Sequence, residues 1–73
     1  MSRIVVLGEG TRVAPFALAG AGVVAAEDAP SVCAAWRALA ADVAIVVLTP
    51  AAAAAVAAAG LTPRAGALAV TLP

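Results

Sequence analysis

At 73 residues the chain has room for one domain, residues 1–73, and a domain that short buries only about 60% of the surface its unfolded chain exposes. With Cys33 as the only cysteine, no histidine, and four scattered acids (Glu9, Glu27, Asp28, Asp42), neither a disulfide nor a metal centre is expected to staple the fold. A net charge of zero, carried on the cationic side by dispersed Arg3, Arg12, Arg37 and Arg64, excludes the basic patch that nucleic acids and anionic membrane surfaces require.

In chain order, Arg3 to Leu7 (RIVVL) is a short continuous apolar run closed by Gly8-Glu9-Gly10, the pattern of a strand buried on both faces. Thr11 to Ala19 reads as a short helix with Val13, Phe16 and Ala17 on one side, tolerating Pro15 only if it starts close to that residue. Gly20-Ala21-Gly22 ends it, and Val23 to Ala26 is a brief second strand. Asp28-Ala29-Pro30-Ser31 carries a helix start, with Asp28 as the cap and proline in the first turn. The helix is expected to run to about Ala41, with Val32, Ala35, Trp36 and Leu39 along one face. Val43 to Leu48 (VAIVVL) is the strongest strand signal. Thr49-Pro50 opens a helix over Ala51 to Ala59 that Gly60 stops. Thr62-Pro63-Arg64-Ala65-Gly66 is turn chemistry, and Leu68 to Leu72 is a fourth strand before Pro73.

This β-α-β-α-β-α-β series predicts an α/β fold: a small open four-stranded parallel sheet with alternating helices, Rossmann-like or receiver-like. The apolar fraction of 66% exceeds the roughly 45–50% of ordinary soluble domains, yet about a third of the chain is alanine, which buries little area. Three short helices cover such a sheet thinly, so a partner surface is expected to complete the core. The uncharged stretch Val43 to Pro63 is long enough for a bilayer, for which about 20 residues suffice. Pro50, and the split into a β-branched half and an alanine half, argue for strand-then-helix instead. The N-terminal apolar run stops at Gly8-Glu9, which does not read as a secretory signal.

The motifs offer little chemistry. Gly8 and Gly10 fit the start of the dinucleotide fingerprint G-x-G-x-x-G, and Glu27 or Asp28 falls near the expected ribose-binding acid, but the third glycine position is Val13. A truncated Rossmann-like nucleotide-binding domain is therefore the alternative reading. The absence of lysine excludes the P-loop, and a phosphoacceptor receiver domain would need clustered acids, an aspartate where Thr49 stands, and a lysine. Ser2, Ser31 and Cys33 have no histidine to activate them, so no catalytic residue and no cofactor are expected. Cys33 reads as a small space-filling residue, and Trp36 as core.

Several segments nevertheless resemble one family. Arg3-Ile4-Val5-Val6-Leu7-Gly8-Glu9 looks like the first strand and turn of the F subunits of the V/A-type (vacuolar/archaeal-type) rotary ATPases. Phe16-Ala17-Leu18-Ala19-Gly20 followed by Val23-Val24 resembles that family's F-R-L-A-G-V stretch, and Glu27-Asp28 falls where it often has acids. Val43 to Thr49 resembles its third strand, and Val70-Thr71-Leu72-Pro73 the short strand ending in proline. The resemblance implies a non-catalytic component of the central rotor stalk in a proton- or sodium-translocating ATPase/ATP synthase. Its partner would be the long coiled-coil subunit of that stalk, its place cytoplasmic, and its contact with the membrane only through the complex. Arg12, Phe16 and Leu18 are the interface candidates. Ala17 stands where the family often has arginine, Ala21-Gly22 looks inserted, and family members continue into a C-terminal helical segment where this sequence stops at Pro73.

Overall fold

The computed structural model describes residues 3–39, 41–63 and 67–73. Four strands, β1 (Arg3–Gly8), β2 (Gly22–Ala25), β3 (Val43–Leu48) and β4 (Leu68–Thr71), form one sheet in the order β2-β1-β3-β4. Every neighbouring pair is parallel. Three helical segments make the crossovers: α1 (Gly10–Val13, continued as a 3-10 turn over Ala14–Ala19), α2 (Ala29–Arg37) and α3 (Pro50–Ala58). The expected small α/β fold with a parallel sheet is thus what the chain forms.

Strand order decides where the helices go. The chain leaves β1 for β2 on one side, then crosses back past β1 to β3 and continues outward to β4. With right-handed crossovers, α1 must lie on one face and α2 and α3 on the other. Accordingly α1 and its 3-10 extension pack on β1 and β2, while α2 and α3 pack on each other and over β1, with α3 also against β3. The main core lies under α2 and α3, where Val5, Leu7, Val46 and Leu48 of the sheet meet Val32, Trp36, Ala52 and Val56.

Local chemistry explains most boundaries. Asp28 caps α2, its carboxylate accepting from the Ser31 amide at 2.8 Å, and Thr49 caps α3, its hydroxyl accepting from the Ala52 amide at 3.3 Å. Gly60 follows α3 with φ of 69°, a left-handed conformation that a side chain resists. Two boundaries differ from expectation. The first helix is α-helical for only one turn and then tightens, because Pro15 lacks the amide and crowds the preceding turn. The second ends at Arg37 rather than near Ala41, despite the alanines that follow. The Arg3 amide donates to the Asp42 carbonyl at 3.0 Å, so the chain must already be turning into β3 there. Arg64, Ala65 and Gly66 of the expected turn lie outside the described residues.

Candidate functional site

Two regions are chemically distinct: the loops at the carboxyl ends of the strands, and the sheet face that α2 and α3 leave alone. In open α/β sheets ligands bind at the carboxyl ends where the strand order reverses, here between β1 and β3. That crevice is filled by the protein's own groups. Thr49 is wholly buried, and its hydroxyl donates to Glu9 Oε1 at 2.5 Å while its amide donates to the Leu7 carbonyl at 3.1 Å. A Cβ added to Gly8 would come within 2.8 Å of Thr49 Cβ, so this glycine makes room for a threonine rather than for a phosphate. Next to it the Gly10 amide donates to Glu27 Oε2 at 2.8 Å. A carboxylate therefore already sits where a pyrophosphate would dock, and it would repel one.

The electrostatics follow the same pattern. The Thr49 hydroxyl, the backbone amide of Glu9 itself and the nearby Arg12 guanidinium hold the Glu9 carboxyl below its ordinary value. The bond from Ser31 does the same for Asp28. These acids are satisfied by the fold, and among the described residues no three potential metal ligands come together. Cys33 is half-buried with its thiol 3.9 Å from the Ala55 carbonyl, filling the seam between α2 and α3. Trp36 is buried in the core, as read from its place on the apolar stripe.

The opposite sheet face is different. Registers set Ile4 beside Ile45 and Ile45 beside Leu68 in one cross-strand row, and Val6, Val47 and Val70 in the next. Where α1 covers the sheet, Val6 of β1 and Val13 of α1 itself are fully buried. Away from α1 cover is lost: Ile45 and Val47 are half-buried, while Ile4, Leu68 and Val70 are 48%, 58% and 43% exposed. On β4 the large side chains face outward and small Ala69 faces the core, the reverse of an ordinary edge strand with one solvated face.

The residues singled out from sequence are spread along the first crossover rather than gathered. Arg12 ends α1 near the carboxyl ends of the strands, its guanidinium 3.4 Å from the Pro73 carbonyl. Phe16 is half-buried in the 3-10 turn, and Leu18 is 95% exposed close to Gly20. Ile4, Leu68 and Val70 were not among them. The large-small-large alternation Leu68-Ala69-Val70 was the available signal, but which face it opens on depends on strand order.

The stretch Val43 to Pro63 resolves into β3, α3 and a connection, and among the described residues no helix is long and apolar enough to cross a membrane. Searches for similar proteins match no known family, no curated protein and no solved structure.

Proposed function

We propose that the chain is a non-catalytic component of the central rotor stalk of a V/A-type proton- or sodium-translocating ATPase/ATP synthase, binding the coiled-coil stalk subunit and helping to couple or regulate rotation. In this reading it works in the cytoplasm and meets the membrane only through its complex. The observation that carries the binding role is the bare half of the parallel sheet. A parallel sheet wants both faces covered, and here Ile4, Leu68 and Val70 remain in water. Covering these half-exposed side chains returns about 1 kcal/mol each, a useful fraction of what holds so small a domain together. The resemblance of the strand and F-x-L-A-G segments supplies the identity of the partner.

The strand-end crevice supports the same reading from the other side. The Gly10 amide is taken by Glu27, Glu9 by the Thr49 hydroxyl, and the space beside Gly8 by Thr49, which leaves the nucleotide alternative without a free phosphate cradle. Co-expression with the coiled-coil stalk subunit of the same organism, followed by size-exclusion chromatography, tests the proposal. A soluble 1:1 complex is expected, with the lone chain aggregating or partly unfolded. A stable monomer that ignores the stalk subunit would overturn it. Calorimetric titration with ATP or NAD is expected to give no heat, and micromolar binding would restore the nucleotide reading.

A further inference from the structure

The first crossover is held to the fold differently from the other two. In α1 only Val13 is buried, no residue of the 3-10 turn Ala14–Ala19 is, and Leu18 is 95% exposed. By contrast α2 buries Val32 and Trp36, α3 buries Ala52 and Val56, and the two also pack on each other. Among the described residues no backbone-to-backbone hydrogen bond joins residues 10–20 to another element. The amides of Arg12, Val13 and Gly20 donate to Glu9 and Ala17, inside the crossover itself.

What fastens the segment is polar and gathered at one end. The Glu9 carboxylate accepts from the hydroxyl of Thr49, between β3 and α3, at 2.5 Å. The Gly10 amide donates to the carboxylate of Glu27, between β2 and α2, at 2.8 Å. The Arg12 guanidinium lies 3.4 Å from the Pro73 carbonyl beyond β4. Residues 9–12 are thus tied to three other parts of the chain, and nothing comparable holds the 3-10 turn. That turn ends on Gly20, with φ of 84° and no atom within 4 Å of where a Cβ would stand. A segment with one buried apolar anchor opens at lower cost than the core it covers.

We propose that residues 10–20 form a flap, latched in its first turn by Glu9 and Glu27 and loose at its 3-10 end, that lifts while the sheet, α2 and α3 stay folded. Beneath it lies Val6, 1% exposed and in register with Val47 on the face that carries Ile4 and Val70. Lifting the flap extends the bare apolar surface from β3 and β4 back over β1. The motion needs no partner, so it stands or falls separately from the rotor-stalk reading.

Amide hydrogen exchange of the full chain, followed by NMR where opening and closing outpace exchange, tests this. In the native chain the amides of Arg12, Val13, Ala14 and Gly20 are expected to be at least about tenfold less protected than those of β1 and β3. Glu27→Ala and Glu9→Ala each remove one fastening and should lower the flap's protection about fivefold, the share of one hydrogen bond of ordinary net strength. Glu9 makes no side-chain cap to α1, so its removal does not itself unwind the turn. Val56→Ala, or the milder Ala55→Gly, weakens α3, which stays folded when the flap lifts. It should lower protection in β1 and β3 and leave the flap amides unchanged. Flap amides as protected as β1 and β3 would overturn the proposal. So would an equal loss in flap and core in both α3 variants, or unchanged flap protection in both glutamate variants.

Discussion

Replacing Thr49 by valine removes a hydroxyl and almost nothing else, and the structure fixes what that hydroxyl does. It accepts from the Ala52 amide at the start of α3 and donates to Glu9. Ala52 is 1% exposed, so water cannot take over the amide once the cap is gone. A lost cap costs about 1 kcal/mol, and a buried donor left without a partner raises this to about 2 kcal/mol. Glu9 keeps access to water, and little is lost on its side. A chain of 73 residues has roughly 4–11 kcal/mol of total stability at the usual per-residue value. At about 4–8 °C per kcal/mol, Thr49→Val is expected to lower the melting temperature by about 8–16 °C. Thr49→Ser keeps the hydroxyl and loses one methyl, costing about 1 kcal/mol. Trp36 is the only tryptophan and there is no tyrosine, so intrinsic fluorescence reports core melting from one site, alongside circular dichroism for the helices. A valine variant melting within about 3 °C of the native protein, or a serine variant worse than the valine one, would refute the capping argument, since one lost kcal/mol alone moves the midpoint further.

Three further outcomes follow from the same geometry. Gly8→Ala drives a methyl into Thr49 and is expected to cost about 2 kcal/mol or more in thermal melts, with Thr49→Ser in the same chain recovering part of it. Gly60→Ala meets no atom within 4 Å but must hold a left-handed φ of 69°, so about 1–2 kcal/mol is expected from backbone strain alone, measured by denaturant unfolding. Glu9 and Asp28 have folded pKa values below their ordinary 4.5 and 3.8, so the folded state binds fewer protons than the unfolded one. Their contribution is complete above those ordinary values and is lost as pH falls through the lowered ones, so melting temperature should drop below about pH 4.5. The Glu9→Gln, Asp28→Asn double variant should show a shallower drop, and an identical pH profile would contradict the assignment.

The parts of the fold that depend on neighbours in sequence were legible. Val43 to Leu48 had to be a strand, because its β-branched run ends at a capping threonine and a proline suited to a first helical turn. Asp28, three residues before Ser31, announced α2. The tightening of the first crossover at Pro15 was half visible, since the proline was awkward in any α-helix. The early end of α2 was not, because alanine propensity favours continuing while the long-range pairing of Arg3 with Asp42 draws the chain into β3. The strand-end crevice depends on contacts between Glu27 and Gly10, 17 residues apart, and between Thr49 and Glu9, 40 apart. No local pattern encodes such pairs. Thin cover of the sheet could be expected from three short helices, one of them nearly all alanine. That the gap falls over β3 and β4 follows from the order β2-β1-β3-β4, which places only one crossover on that face.

The most direct test of the central claim is calorimetric titration of the purified coiled-coil stalk subunit into this chain at two temperatures and two salt concentrations. Binding through a bare apolar sheet face predicts 1:1 stoichiometry, a negative heat-capacity change from apolar burial, and little dependence on salt. Absence of binding, or binding that weakens steeply with salt and shows no heat-capacity change, would contradict it.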